Sequence, residues 1–129
     1  MESERMHEEQ ARIYLRNLLA VARADDVVLL DEHNLLAELS AKRGIRVALL
    51  NDCLAELRPA EVKLTALSRF SERVRCLEDM IMLALVDGDV PNSEKQLLFK
   101  AAESADISSS NVVTMIREAR QRLRQGSTE

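Results

Sequence analysis

Aromatic residues, glycine and proline are scarce in this chain of 129 residues. Aromatics make up 2% of the sequence, and there are three glycines, two prolines and no tryptophan. Because helix-breaking and strand-forming residues are both few, the composition favours long helices and leaves almost no signal for strands. The shortage of aromatic side chains, on which bases stack, also argues against single-stranded nucleic-acid binding.

Cysteine is sparse as well, and long apolar runs are missing. Cys53 and Cys76 lie far apart without CxxC spacing, which predicts two buried thiols in a reducing compartment. No stretch approaches the roughly 18 apolar residues of a membrane span, and the charged start of the chain does not resemble a signal peptide. We therefore expect a cytoplasmic protein that does not insert into membranes.

An excess of positive charge and a catalytic motif are also lacking. The formal net charge is −4, so no overall basic field points to DNA or to an anionic membrane surface. No Ser/His/Asp or Cys/His set has a recognisable spacing, there is no glycine-rich phosphate loop, and His7 and His33 lack an HExxH frame. The length suits one domain spanning residues 1–129. We expect a non-enzymatic chain that requires no cofactor.

The chain does contain apolar residues at helical spacing, separated by short polar breaks. The spacing predicts helices over residues 11–24, 31–43, 46–57, 92–104 and 109–124. Residues 59–85 are long for one element, so two helices or one bent helix are expected there. Gly44 should end the second helix and Ser108 should cap the last. The sequence thus predicts an all-α domain of six to seven helices, with frayed ends at residues 1–5 and 125–129.

An internal repeat underlies this pattern. Residues 15–45 align with residues 77–107 without a gap, at a constant offset of 62 positions. The identical pairs are Leu15/Leu77, Ala22/Ala84, Asp25/Asp87, Val28/Val90, Glu32/Glu94, Leu35/Leu97, Leu36/Leu98 and Ile45/Ile107. We therefore predict two three-helix units, over about residues 10–57 and 72–124, packed face to face with pseudo-twofold symmetry.

Each copy of the repeat contains an acidic turn after an apolar helix. The second turn, Val86–Glu94, reads Val-Asp-Gly-Asp-Val-Pro-Asn-Ser-Glu, and the first, Ala24–Glu32, has Asp26 at the glycine position. The pattern Ala-Asp-Gly-x-Val-x-x-x-Glu, occurring twice, resembles the tellurite-resistance TerB-like domain, which also occurs at the start of DjlA-type co-chaperones. The resemblance covers roughly residues 10–120. It implies an all-helical fold, a metal-ion or stress-response role and no established enzymatic activity.

The carboxylates of these turns are candidate ligands for a divalent cation. A complete EF-hand loop cannot form, because the positions two and four residues before Asp87 are leucines without side-chain oxygen. If both turns lie at one end of the fold, a weaker Ca²⁺ or Mg²⁺ site could assemble there. Its ligands would be Asp25, Asp26, Glu32, Asp87, Asp89 and Glu94. The alternative is structural, with each glutamate capping the N-terminus of a helix.

The first turn also carries hydrophobic residues that the second turn lacks. They are Val27, Leu29 and Leu30, at positions where the second turn has Asp89, Pro91 and Asn92. An exposed apolar side chain forgoes about 1.5–3 kcal/mol of burial. Either a terminal helix covers these residues, or they form a patch for a protein partner or for a homodimer.

The last predicted helix carries a basic stripe, which consists of Arg117, Arg120 and Arg124. Its apolar face is expected to comprise Val112, Val113, Met115 and Ile116. Because basic residues are common at helix C-termini, the stripe is explained by a solvated face. The alternative is a docking site for an acidic partner or for nucleic acid.

These observations favour a TerB-like binding or adaptor module that acts through protein partners in a stress- or tellurite-resistance-type system. The main rival is a protein that binds divalent metal ions directly through the two acidic turns. Nucleic-acid binding through the basic stripe is a third hypothesis, which the negative net charge disfavours. An enzyme is the least favoured interpretation, because no acid–base or nucleophile set is visible.

Overall fold

The computed structural model describes residues 7–22, 30–56, 64–86 and 92–127. Within these ranges the chain forms six α-helices and no strand. The helices are α1 (Glu8–Ala22), α2 (Leu30–Lys42), α3 (Val47–Glu56), α4 (Phe70–Leu85), α5 (Asn92–Ser104) and α6 (Ser109–Ser127). The predicted all-α class is confirmed. Among the described residues, no helix combines the length and the apolar character that crossing a membrane requires.

The segment before α4 departs from one of the two predictions made for it. Residues 64–69 are not helical, so the single bent helix considered for residues 59–85 is wrong. The backbone here bonds to side chains of α1 instead. The Thr65 N–H donates to Asn17 Oδ1 at 3.1 Å, and the Ser68 N–H donates to Gln10 Oε1 at 2.9 Å. Since these amide groups are satisfied by α1, the segment does not need helical hydrogen bonds.

The turns that follow α2 and α5 have equivalent backbone hydrogen bonds. The Ile45 N–H donates to the Ser40 carbonyl at 2.9 Å, and the Ile107 N–H donates to the Ala102 carbonyl at 2.8 Å. Each bond spans five residues, as in a Schellman motif. Donor and acceptor of the second turn lie 62 positions after those of the first, which is the offset of the sequence repeat.

Both turns reverse through one residue in the left-handed region. Gly44 has φ 73° and Asp106, its equivalent in the repeat, has φ 63°. Gly44 thus follows the end of α2, as predicted. The predicted cap of α6 is also present, because the Asn111 N–H donates to Ser108 Oγ at 3.3 Å. α6 itself continues through Ser127, past its predicted end at residue 124.

Replacing Gly44 with alanine should lower the free energy of unfolding by about 1–2 kcal/mol, because a Cβ clashes with the backbone in the left-handed region. Gly44→Asn should cost less, since asparagine, like the aspartate found at residue 106, tolerates this conformation. Urea denaturation of the wild type and the two variants measures the difference. Equal losses for alanine and asparagine would show that φ at this turn does not limit stability.

Helices α1 and α4 form the central pair of the fold. Most of the largest fully buried side chains belong to them, among them Tyr14, Leu15, Leu18, Leu19, Leu77, Met80, Ile81 and Leu83. α1 contacts α2 and α3 of its own unit and α5 of the other, while α4 contacts α5, α6 and α2. Each central helix therefore contacts both other helices of its own unit and the equivalent helix of the other unit. This is the pseudo-twofold arrangement that the repeat predicts.

The polar contacts between α1 and α4 are also related by the pseudo-twofold symmetry. The Tyr14 hydroxyl donates to Asp79 Oδ2 at 2.6 Å, and Asn17 Nδ2 donates to Cys76 Sγ at 3.7 Å. The repeat pairs Tyr14 with Cys76 and Asn17 with Asp79. One contact is thus the pseudo-twofold counterpart of the other, made with different chemical groups.

A candidate partner-binding groove between the last two helices

Helices α5 and α6 enclose an open groove of about 440 Å³, within the size range of ligand and peptide pockets. The described residues that line it come from both helices. They are Lys95 and Phe99 of α5 and Val113, Ile116, Arg117, Arg120, Gln121 and Arg124 of α6. All three residues of the predicted basic stripe therefore border one concave surface.

The apolar floor of the groove consists of Phe99, Val113 and Ile116. Phe99 and Ile116 are half-buried and pack on the hydrophobic core. Val113, which the sequence places on the apolar face of the last helix, is 48% exposed, so the core covers only part of that face. Apolar surface in contact with water forgoes about 25 cal/mol per Å² of burial, and a bound partner would recover this free energy.

Lys95 and the basic stripe surround this floor with four exposed cations. Arg117, Arg120 and Arg124 share one face of α6, and the outer two lie about 10 Å apart along the helix axis. No aspartate or glutamate is among the described lining residues. The groove is therefore locally positive in a chain whose net charge is −4, and it attracts anionic groups.

The packing of α6 explains why this basic stripe faces outward. Val112 and Ala119 are buried, and Met115 and Leu123 are partly buried against the core. These four residues recur every three or four positions, so they form one face that packs on the rest of the fold. The stripe lies on the neighbouring face, where α5 covers the helix only in part.

The groove has no complete counterpart in the first unit of the internal repeat. At the positions equivalent to Phe99 and Arg117, the first unit has Ala37 and Ala55. α6 is also longer than its counterpart, with 19 residues against 10 in α3. The first unit therefore does not reproduce the aromatic part of the floor or the first cation of the stripe.

Most ligands of the predicted metal site lie outside the described residues, namely Asp25, Asp26, Asp87 and Asp89. Glu94 is the third residue of α5, but its side chain is not described. Glu32, the third residue of α2, is buried and has a partner within the chain. Across the described ranges, no group of three or more His, Cys, Asp or Glu could hold a metal ion. The metal site stays a prediction.

The predicted apolar patch also consists of residues whose side chains the structure does not describe. Val27 and Leu29 fall outside the described residues, and Leu30 is the first residue of α2, with a side chain that is not described. The patch stays a prediction.

A buried polar network, which sequence reasoning did not find, links α1 and α4 to the end of α2. Arg43 donates to both carboxylate oxygens of Asp79, from Nη2 to Oδ1 at 2.9 Å and from Nε to Oδ2 at 3.0 Å. The Tyr14 hydroxyl bonds to the same carboxylate. Asp79 and Asn17, which occupy equivalent positions on otherwise apolar helix faces, were the signal available in the sequence.

Two side chains of the buried network, Tyr14 and Cys76, have raised pKa values. Burial, and next the negative charge of Asp79, raise the pKa of Tyr14 above its ordinary 10.0. Burial raises the pKa of the Cys76 thiol to about 12. Cys53 and Cys76 are both free and buried, as predicted. Because a nucleophilic thiol must be ionised and accessible, these side chains serve the core rather than a reaction.

Comparison of the chain with models of known protein families, with curated proteins and with solved structures gave no match. The TerB-like resemblance therefore depends on the two acidic turns and on the repeat that contains them. The groove between α5 and α6 is the feature of the described residues that best fits a binding site.

Proposed function

We propose that this chain is a non-enzymatic binding module that recognises a protein partner through the groove between α5 and α6. The observation that carries the proposal is the apolar floor, with Val113 about half exposed, lying among four cations. An exposed apolar surface rimmed by polar groups is typical of protein-interaction sites. The floor supplies affinity on burial, while the cations orient the partner and raise its rate of association.

The chemistry of the groove suits binding more than catalysis. Its described lining offers cations and one amide, but no carboxylate, imidazole, thiol or hydroxyl. General acid–base catalysis needs a group that exchanges a proton near neutral pH, and arginine does not. The groove is therefore suited to hold an anionic group rather than to transfer a proton.

The TerB-like sequence pattern supports the same class of role. It implies a helical module in a stress- or tellurite-resistance-type system, and we infer that the partner belongs to such a system. The rival hypothesis, direct binding of a divalent cation, depends on the acidic turns, whose aspartates lie outside the described residues. The groove supports partner binding without that metal.

Affinity purification of the full chain from its native cells tests the proposed function. The wild type should retain at least one partner in stoichiometric amount. Val113→Glu should reduce its recovery at least tenfold, because the new carboxylate interrupts the floor and neutralises a neighbouring cation. Asn111→Glu adds the same charge at an exposed position of α6 outside the groove, and it should keep the partner.

Two results would contradict the proposal. One is equal recovery of every partner by the Val113→Glu variant and the wild type. The other is the absence of any protein that the wild type retains and an unrelated helical protein does not. Circular dichroism of both variants shows whether they keep the helical fold, so that a lost partner is not mistaken for unfolding.

A further inference from the structure

We propose that the groove takes an acidic amphipathic helix of the partner protein. This inference rests on the proposed function and names the chemistry of the partner. The carboxylates of that helix lie along the basic stripe on one side and near Lys95 on the other. Its apolar side chains lie between these two rows, on the apolar floor.

The arrangement of charge favours this partner. The stripe places three arginines at i, i+3 and i+7 of α6, so carboxylates with the same helical spacing can each reach one guanidinium. An arginine–carboxylate pair is often bidentate, which adds orientation as well as energy. Lys95 contributes from α5, across the floor. A complementary helix therefore has acidic residues on both flanks of an apolar strip.

The shape of the site favours a helix over an extended segment. Within the described ranges the fold has no sheet, so an extended peptide would find no strand edge to satisfy its backbone. A helix bonds its own backbone and presents only side chains. From Val113 to Arg124 the groove follows α6 for about 16 Å, which equals three turns of a partner helix.

A nucleic acid or an anionic membrane fits these observations less well. The net charge of −4 repels a polyanion at long range, and a backbone of phosphates gains little from an aliphatic floor. Phe99 is the aromatic residue in the described lining, and it is half-buried against the core. The described lining of the groove therefore offers bases one half-buried ring on which to stack.

Fluorescence anisotropy with a designed peptide tests the inference on the full chain. The probe is a helical peptide with leucines at i, i+3 and i+7 flanked by glutamates, and its companion has the same composition in scrambled order. At about 0.1 M salt, Arg120→Glu should weaken binding of the helical peptide at least tenfold. Arg122→Glu, an exposed site about 200° around α6 from Arg120, should change it less than about threefold.

A charge-swapped pair gives the sharper readout. A peptide with lysine in place of each glutamate should bind the Arg117→Glu, Arg120→Glu double variant more tightly than it binds the wild type. The reversal identifies the stripe as the contact when circular dichroism shows that the double variant keeps its helices and Arg122→Glu does not produce the same preference. If the swapped peptide shows no preference, the stripe does not pair with the partner and the inference is overturned.

The other outcomes separate this inference from the proposed function. Equal binding of the scrambled peptide overturns the amphipathic helix. Binding of single-stranded DNA or of anionic vesicles that depends on Arg120, without binding of the helical peptide, replaces the protein partner with that polyanion. Failure of the helical peptide, together with partner loss in the Val113→Glu purification, overturns the acidic helix and leaves the proposed function standing.

Discussion

Replacing Arg43 with methionine should lower the free energy of unfolding by about 3–5 kcal/mol. Arg43 lies in the turn after α2, and its Nε and Nη2 atoms donate to the carboxylate of Asp79 on α4 at 3.0 and 2.9 Å. Asp79 is 4% exposed, so water cannot replace the lost cation. The variant would keep the Tyr14 hydrogen bond but leave a buried negative charge without its balancing charge.

Arg46→Met is the matched control for this change. Arg46 pairs with Glu8 at 3.6 Å, but both side chains are mostly exposed. Exposed ion pairs contribute about 0–1 kcal/mol, so this variant should differ little from the wild type. Urea denaturation of the three proteins at neutral pH measures the difference. If Arg43→Met proves as mild as Arg46→Met, the buried network does not stabilise the fold.

Raising the pH from 9 to 11 should lower the free energy of unfolding by about 2 kcal/mol through Cys76 alone. Cys76 is 3% exposed, and burial raises its pKa from 9.0 to about 12. The unfolded thiol loses its proton above about pH 9, while the native thiol keeps it until about pH 12. This contribution to stability is therefore fully present below pH 9 and is lost as the pH rises toward 12. Tyr14, whose pKa is also raised, acts in the same direction above pH 10.

Denaturation curves at pH 8, 9, 10 and 11 test the role of Cys76. The wild type should lose stability steeply above pH 9, and Cys76→Ala should lose it less steeply, because its unfolded state has one thiol fewer to ionise. Removing the side chain also costs packing, so the two proteins are compared by slope and not by absolute stability. The same slope in both proteins between pH 9 and 11 would contradict the assignment.

The predicted helices α2, α5 and the start of α6 agree with the structure because their signals are local. Apolar spacing, a glycine after the second helix and a serine before the sixth act within a few residues of the chain. The repeat was detectable for the same reason, since an unbroken offset of 62 positions is a property of the sequence. The buried network was not detectable, because it joins Tyr14 of α1, Asp79 of α4 and Arg43 of the turn after α2, which lie far apart in the sequence.

The basic stripe shows what sequence alone could not settle. Three arginines on one face of a helix are compatible with a solvated surface or with a docking site, and their spacing is the same in both cases. The opposite face of the groove comes from α5, and it is the reason we propose the docking site. Lys95 and Phe99 lie far from the stripe in sequence, and no local pattern marks them as its neighbours.

The sequence by itself determined the all-helical class, the repeat and the turns that end α2 and cap α6, since each follows from residues close together or at one fixed offset. Tertiary structure alone decided which apolar residue of α6 is buried. Val112 and Val113 are adjacent and chemically identical, yet Val112 is fully buried and Val113 is 48% exposed. The reason is physical: neighbouring positions point about 100° apart, and only the packing of α6 on α4 and α5 selects which one the core covers. That selection leaves Val113 in the groove, beside the arginines.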